Sequence, residues 1–125
     1  MKILLTGGNG MVGRNILNYS KFNKLQLIAP SSNELDLTCY EAVHKFIQVE
    51  KPDLIIHAAG KVGGIQSNIK YPVDYLVKNL DIGRNLIVAA NSNNVSRFLN
   101  IASSCMYPKN AENPLREDAF LDGSL

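Results

Sequence analysis

Four short apolar runs alternate with segments of helical spacing along this 125-residue sequence, and that alternation narrows the possible folds most. We interpret the runs at 3–5, 25–29, 53–58 and 98–102 as strands, the first of them buried. Between them, apolar residues recur three and four positions apart, as on one face of a helix. Strands that alternate with helices indicate an α/β fold, with a parallel sheet covered by helices on both faces. Because crossovers between parallel strands are right-handed, few topologies remain, and we expect the strand order 3-2-1-4.

Two kinds of signal predict helix boundaries. Thr38 and Glu41 have the spacing of a capping box, in which each side chain bonds a backbone N–H at the start of a helix. That helix is expected to end by Lys51, because Pro52 disfavours helical backbone in the residue before it. Pro72 suits the first position of a further helix. The glycine-rich stretch before it and the polar stretch after residue 108 are expected to be loops.

Composition and charge exclude several classes of protein. Hydrophobic residues make up 46% and charged residues 19%, as in a globular chain. The net charge of +2 gives no electrostatic case for binding nucleic acid or an anionic membrane. No stretch approaches the ~20 apolar residues of a membrane span, and the first residues do not form a signal peptide. Cys39 and Cys105 lack the spacing of a disulfide framework or zinc site, so we expect a cytoplasmic protein without a metal.

The segment TGGNGMVG, residues 6–13, lies between the first strand and the first helix. Its glycines Gly7, Gly10 and Gly13 have distinct uses: the first allows a tight turn, the second lets a diphosphate approach, and the third lets helix and strand pack closely. N–H groups at the helix start favour a bound anion. The segment predicts a dinucleotide site in a Rossmann-type, doubly wound sheet; the alternative is a glycine-rich turn in another doubly wound protein.

The end of the second strand leaves the choice of dinucleotide open. An acidic residue there binds the ribose 2′-hydroxyl of NAD, whereas an arginine binds the 2′-phosphate of NADP. This strand is followed by Ser31 and Ser32, with Glu34 and Asp36 a few residues later and no arginine. Serine hydroxyls and backbone N–H groups are compatible with either cofactor.

The segment IASSCMYP, residues 101–108, brings a hydroxyl and a thiol to the end of the fourth strand, where open sheets bind ligands. Ser103 and Cys105 are therefore candidate reactive groups. The alternatives are a plain turn for the serines and an inert, small buried residue for the cysteine. His57 ends an apolar strand and is more typical of a hydrogen-bonded structural residue than of a catalyst.

Four segments together resemble the GDP-L-fucose synthases, which belong to the extended short-chain dehydrogenase/reductases. They are TGGNGMVG, Asp36-Leu37, AAGKVGGI at 58–65 and SSCMYPK at 103–109. Members of this family are NADP-dependent 3,5-epimerases and 4-reductases of GDP-4-keto-6-deoxy-D-mannose. The resemblance implies a GDP-sugar substrate. The alternatives are another GDP-4-keto-deoxysugar, such as the colitose precursor, and a nucleotide-binding fragment without catalysis.

The resemblance also implies a cofactor site. The glycine loop contacts the pyrophosphate, Asp36 and Leu37 flank the adenine, and residues after the third strand complete the site. Asn9 and Ser32 stand where better-known members carry arginines that hold the 2′-phosphate, so NADP is expected and NAD is not excluded. The implied cofactor-binding residues are Gly7, Asn9, Gly10, Met11, Val12, Gly13, Ser32, Asp36, Leu37, Ala58, Ala59 and Lys61. Asn79, in the helix after Pro72, is expected to have a structural hydrogen-bonding role.

The catalytic residues that the resemblance implies are Ser103, which polarises the 4-keto oxygen, and Cys105, which transfers protons during epimerisation. A donor at that oxygen stabilises an enolate, and a thiol with a pKa near 8.5 is a usable proton shuttle. The family also needs a Tyr-x-x-x-Lys pair, and none of the five tyrosines here has a lysine four residues later.

In the family that pair follows the point where this chain stops. We therefore expect residues 1–125 to be the N-terminal part of an NAD(P)-binding Rossmann domain, truncated before its remaining strands and without the sugar-nucleotide domain. Alone, this part is expected to be inactive. Its fourth strand is expected to leave an apolar edge, through which the chain forms a homodimer or otherwise self-associates, unless its own tail covers that edge.

Overall fold

The computed structural model describes residues 1–22 and 25–120. In chain order the elements are β1 (Lys2–Thr6), α1 (Met11–Phe22), β2 (Gln26–Ile28), α2 (Tyr40–Glu50), β3 (Leu54–His57), α3 (Ile65–Lys70), α4 (Pro72–Ser92) and β4 (Arg97–Asn100). Two short 3₁₀ turns follow, at Ser104–Met106 and Glu117–Ala119. All strand pairs are parallel, which confirms the predicted α/β class. Within the described ranges, no helix has the length and apolar character needed to cross a membrane.

The order of the strands is β2-β1-β3-β4, so the predicted order 3-2-1-4 was wrong. β1 is central: Ile3 lies opposite Leu27 of β2 on one side and Leu54 of β3 on the other. After β2 the chain makes turns instead of pairing on its outer side, and buried Leu35 anchors this connection in the core. The next strand therefore joins the sheet on the far side of β1.

The direction of the chain across the sheet reverses at β1. The step from β1 to β2 goes one way, whereas the steps from β2 to β3 and from β3 to β4 go the other. Right-handed crossovers then put α1 on one face and both α2 and α4 on the opposite face. The packing of α2 against α4 agrees with this arrangement. Loops that leave β1 and β3 therefore diverge and open a crevice at the carboxyl ends of these strands.

One hydrophobic core fills the space between the sheet and the α2–α4 layer. β1 and β3 contribute Leu4 and Ile55, α2 contributes Val43 and Ile47, and α4 contributes Leu86, all fully buried. The continuous apolar runs of β1 and β3 fit this position, because a central parallel strand is covered on both faces.

The helix boundaries agree with the sequence in part. Lys51 ends α2 in a left-handed conformation (φ 47°), and Pro72 opens α4, as predicted. The capping box was wrong: Cys39 precedes α2 without a side-chain cap. The hydroxyl and N–H of Thr38 instead donate to Asp36 Oδ1 at 2.7 and 2.9 Å, because the carboxylate offers a charged acceptor. Helix α3, which follows the glycine-rich stretch, was not predicted.

Candidate functional site

A cavity of about 620 Å³ opens at the carboxyl ends of β1 and β3. Its volume lies within the range of roughly 300–1,000 Å³ typical of small-molecule sites. Three segments and Ile82 of α4 line it; the segments are the glycine loop at 6–12, part of the connection after β2 at 30–38, and the residues after β3 at 58–62. Of the expected cofactor-binding residues, all except Gly13 line this cavity.

The glycine loop is packed too closely for side chains at two of its glycines. Gly7 has φ +78°, and a Cβ there would lie 2.5 Å from Ala58 O. A Cβ on Gly13 would lie 2.2 Å from Gly7 O. Gly13 therefore acts by letting α1 approach the loop, which explains its absence from the cavity wall. The loop itself is closed by Gly10 N–H, which donates to Gly7 O at 2.9 Å.

The first turn of α1 presents backbone donors at the cavity. The first hydrogen bond of the helix runs from Arg14 N–H to Gly10 O at 3.0 Å. The N–H groups of Met11, Val12 and Gly13 come before this bond in the chain. Such N–H groups lack a partner within their own helix and attract anions. The first turn of α1 carries no acidic side chain that would repel an anion there.

Thr6 and His57 connect the ends of β1 and β3 beneath the cavity. Thr6 Oγ1 and His57 Nδ1 are 2.8 Å apart, and the imidazole is only 8% exposed. Burial lowers the pKa of His57, which keeps the ring neutral near pH 7. The hydrogen bond expected for this residue is present, and its structural role stays a prediction.

Asn79 of α4 holds the cavity wall that follows β3. Its Oδ1 accepts from Lys61 N–H at 2.8 Å, and its Nδ2 donates to Lys61 O at 3.0 Å and to Tyr75 O at 2.9 Å. One side chain thus binds both polar groups of one loop residue. The predicted structural hydrogen-bonding role of Asn79 is confirmed.

Among the described residues, Lys61 is the only cation that lines the cavity. Its ammonium group bonds to Asp74 and lies 4.9 Å from the centre of the Tyr75 ring. The hydrogen bond between Lys61 and Asp74 raises the pKa of the lysine and lowers the pKa of the aspartate. The carboxylate of Asp74 also pairs with Lys78 at 3.3 Å. The charge of Lys61 is therefore held at the rim beside α4, away from the β2 side.

The β2 side of the cavity carries acidic groups. Asp36 lines it, and hydrogen bonds from Thr38 lower the pKa of its carboxyl group. Just outside the lining, Glu34 Oε2 accepts from Ser31 N–H at 2.7 Å and from Ser31 Oγ at 2.8 Å. The spacing of Ser31 and Glu34 matches the capping-box spacing that we had assigned to Thr38 and Glu41, so this contact had a visible signal.

Ser103 and Cys105 lie beyond the carboxyl end of β4, outside the cavity lining. Ile101 N–H donates to His57 O at 2.9 Å, which continues the sheet and keeps this segment beside the end of β3. Cys105 N–H donates to Ser103 Oγ at 3.2 Å, and both residues are exposed. The structure thus gathers all the cofactor-binding candidates except Gly13 in one cavity and leaves the two catalytic candidates at an adjacent sheet end.

A glycine loop at the first strand–helix junction, a chain reversal at β1 and a cavity at that reversal together define a nucleotide-binding, doubly wound α/β domain. A profile of the NAD dependent epimerase/dehydratase family matches residues 3–125. The chain belongs to this family.

Similar proteins agree with the resemblance seen in the sequence. The chain is 51% identical to GDP-L-colitose synthase of Yersinia pseudotuberculosis over 125 residues, all of this chain and 41% of that protein. It is 43% identical to GDP-L-fucose synthase of Azorhizobium caulinodans over 122 residues, 98% of this chain and 39% of that protein. The chain thus spans about two fifths of the length of these relatives.

A solved structure with the same architecture is MlghC, a GDP-mannoheptose C4 reductase from Campylobacter jejuni with NADP bound. The TM-score is 0.86 at 34% sequence identity, over 99% of this chain and 40% of that one.

Proposed function

We propose that this chain is the NADP-binding N-terminal part of an epimerase-reductase that acts on a GDP-4-keto-deoxysugar. The observation that carries the proposal is that one cavity is lined by the glycine loop, Asp36-Leu37 and residues 58–62 together. Relatives named for GDP-L-fucose and GDP-L-colitose synthesis support the substrate class. The reductase structure with bound NADP supports the cofactor.

The described residues fit a dinucleotide. Its diphosphate would lie against the glycine loop and the first N–H groups of α1, where an added side chain would obstruct it. Ser32, Asp36 and Leu37 would face the adenosine end. Ala59 and the Lys61 backbone that Asn79 holds would form the wall toward the nicotinamide.

Ser103 and Cys105 would do the chain's own part of the chemistry. Because Ser103 Oγ already accepts the Cys105 N–H, its hydroxyl proton is free to be donated to the sugar's 4-keto oxygen. That donor would stabilise the enolate formed when a neighbouring carbon loses its proton. The exposed Cys105 would take up that proton on one face of the carbon. Inversion also requires a second acid-base group that delivers a proton to the opposite face, and we assign that group to the rest of the enzyme. A bound reduced nicotinamide would supply the hydride that reduces the carbonyl carbon.

Two sugars are candidates for the substrate. GDP-4-keto-6-deoxy-D-mannose would give GDP-L-fucose, and the corresponding 3,6-dideoxy sugar would give the colitose nucleotide. The higher identity to the GDP-L-colitose synthase, 51% against 43%, favours the dideoxy sugar. Comparing both substrates in the longer enzyme would decide between them.

Binding of NADP and NAD to the 125-residue chain tests the cofactor proposal. Calorimetric titration is expected to give saturable binding, and Gly10→Val should weaken it at least about tenfold by blocking the diphosphate. Gly64→Val is the matched control, because a Cβ at Gly64 meets no atom within 4 Å. Absence of binding to either dinucleotide would defeat the proposal.

The 125-residue chain alone should not turn over a GDP-4-keto sugar, since it contains no Tyr-x-x-x-Lys pair. Substrate-dependent oxidation of NADPH by this chain, followed by absorbance, would contradict that expectation.

We also propose that two copies of this chain pair along β4. Among the described strands, β4 bonds only to β3, and Leu99 on it is 49% exposed. Ile101 N–H points to β3, so by alternation the N–H of Asn100 points outward. Asn100→Pro should remove that donor and give monomers in light scattering, whereas Asn100→Ala should not. A monomeric wild-type chain would argue against this pairing.

We further propose that the protein is located in the cytoplasm. Cys39 and Cys105 are free and exposed, and a reducing compartment keeps such thiols unpaired. Fractionation of cells that make the protein, with antibody detection, tests the location.

A further inference from the structure

We propose that Glu34 sets the preference of this site between NAD and NADP, by holding a negative charge beside the position of the adenosine ribose 2′ group. The inference rests on the proposed function, because it assigns a specificity residue to the same dinucleotide site. Glu34 belongs neither to the glycine loop nor to the cavity lining, and it acts through the neighbouring Ser31.

The position follows from the fold. In doubly wound dinucleotide sites the ribose 2′ group lies just past the end of the second strand. Here β2 ends at Ile28, and Ser31 and Ser32 line the cavity three and four residues later. Both donors of Ser31, its N–H and its hydroxyl, are committed to Glu34 Oε2 at 2.7 and 2.8 Å. Donors that would suit a phosphate are therefore already bound to a carboxylate.

The charge around the 2′ position weakens the binding of a phosphate without preventing it. Asp36 lines this side of the cavity, and Glu34 is hydrogen-bonded to Ser31, which lines it as well. Lys61, the only cation lining the cavity among the described residues, follows β3 and is bonded to Asp74. A 2′-phosphate would face one carboxylate in the cavity wall and a second one behind Ser31, whereas the 2′-hydroxyl of NAD carries no charge that they repel.

The charge on Glu34 persists at neutral pH. The backbone and side-chain hydrogen bonds from Ser31 lower the pKa of this carboxyl group, so it stays ionised. The side chain is solvent-exposed, and its effect on a phosphate is therefore expected to be moderate and sensitive to salt.

Glu34 also closes the turn at 31–35, where Glu34 N–H and Leu35 N–H donate to Ser31 O at 3.1 and 3.0 Å. A purely structural role would change the binding of both dinucleotides together. Glu34→Gln separates the two roles, since its amide oxygen can still accept from Ser31 while the charge is removed.

The experiment is calorimetric titration of the 125-residue chain with NADP and with NAD. Glu34→Gln is expected to tighten NADP binding about three- to tenfold and to leave NAD within about twofold of wild type. Raising the salt to about 0.5 M should shrink the difference. Glu112→Gln, the same charge change at an exposed residue outside the cavity, should alter neither affinity.

Ser32→Arg serves as the positive control, because a guanidinium at the cavity wall should tighten NADP alone. The ratio of the two affinities does not depend on how much of each variant is folded. An unchanged ratio in Glu34→Gln, or an equal shift for both dinucleotides, would overturn the role of Glu34 and leave the proposed function intact. Failure of the wild-type chain to bind either dinucleotide would overturn both.

Discussion

The carboxyl ends of β1 and β4 are built in opposite ways. At β1, Thr6 is 1% exposed, and Gly7 after it lies in close backbone contact with Ala58, just past β3, and with Gly13 of α1. At β4, Leu99 is 49% exposed, and Ser103 is tied to Cys105 by one hydrogen bond in an exposed turn. The binding half of the proposed site therefore rests on the buried end of β1, whereas the reactive pair adds little to the stability of this chain.

Among these changes, Gly13→Ala in the packed glycine loop after β1 should lower the free energy of unfolding most. A Cβ at this position would lie 2.2 Å from Gly7 O, and backbone on both sides leaves it no room, so we expect a loss of roughly 3 kcal/mol in the free energy of unfolding. Urea denaturation measures it. Gly83→Ala is the matched control: nothing lies within 4 Å, and removing a mid-helix glycine should stabilise α4 by up to about 1 kcal/mol. Similar effects of the two changes would contradict the packing argument.

His57, which joins the two regions, should make stability depend on pH. Burial lowers its pKa in the folded chain below the ordinary value of 6.5, so below about that pH the unfolded chain binds more protons. Stability should therefore fall as the pH drops from 7 to 5.5, by no more than about 1.4 kcal/mol per pH unit for one proton.

Urea denaturation at several pH values measures this slope, and His57→Asn should flatten it while lowering stability overall. The carboxyl groups with lowered pKa values, Glu34, Asp36 and Asp74, lose their contribution only at lower pH, below their ordinary values of 4.5 or 3.8. A slope that survives in His57→Asn would assign the effect to another group.

Asn79→Ala tests how far the binding cavity depends on the hydrogen bonds that Asn79 makes to the Lys61 backbone. The change leaves both polar groups of Lys61 without their present partner, which should cost about 1 kcal/mol of stability and weaken dinucleotide binding a few-fold. Thermal unfolding and titration measure the two effects. Asn93→Ala is the matched control, because it also removes a side-chain hydrogen bond, from Asn93 Nδ2 to Ala89 O at 2.8 Å. This bond lies at the far end of α4 from the cavity, so dinucleotide binding should be unchanged.

The smallest effects are expected at the end of β4. Ser103→Ala and Cys105→Ser should each change the free energy of unfolding by less than about 0.5 kcal/mol, because both side chains are exposed. Dinucleotide affinity should also be unchanged, since neither residue lines the cavity. A marked loss of stability in either variant would mean that this segment packs more tightly than its exposure indicates.

The sequence predicted the strands and the glycine loop because both are local signals. The apolar run of β1 and the glycines after it need no knowledge of distant residues. Strand order depends on which side of β1 receives β3, and periodicity carries no information about that choice. The order was missed because the connection after β2, anchored by Leu35, forms turns and not another strand.

Contacts between residues far apart in the chain could not be predicted from the sequence either. The pairing of Lys61 with Asp74 spans 13 positions and depends on how α4 crosses the loop after β3. Helix α3 was missed because its residues, IQSNIK, follow glycines and bury no side chain that would reveal a stripe. The Ser31–Glu34 contact has the spacing of a capping box but lies in a turn, whereas that spacing predicts the start of a helix.

The order of the site residues along the chain affects the order in which the site forms during synthesis. Every residue that lines the cavity lies within the first 82 positions, and Ser103 follows about 20 residues later. Because translation proceeds from the N-terminus, a nascent chain could already close its nucleotide pocket while the reactive serine and cysteine are still in the ribosomal tunnel.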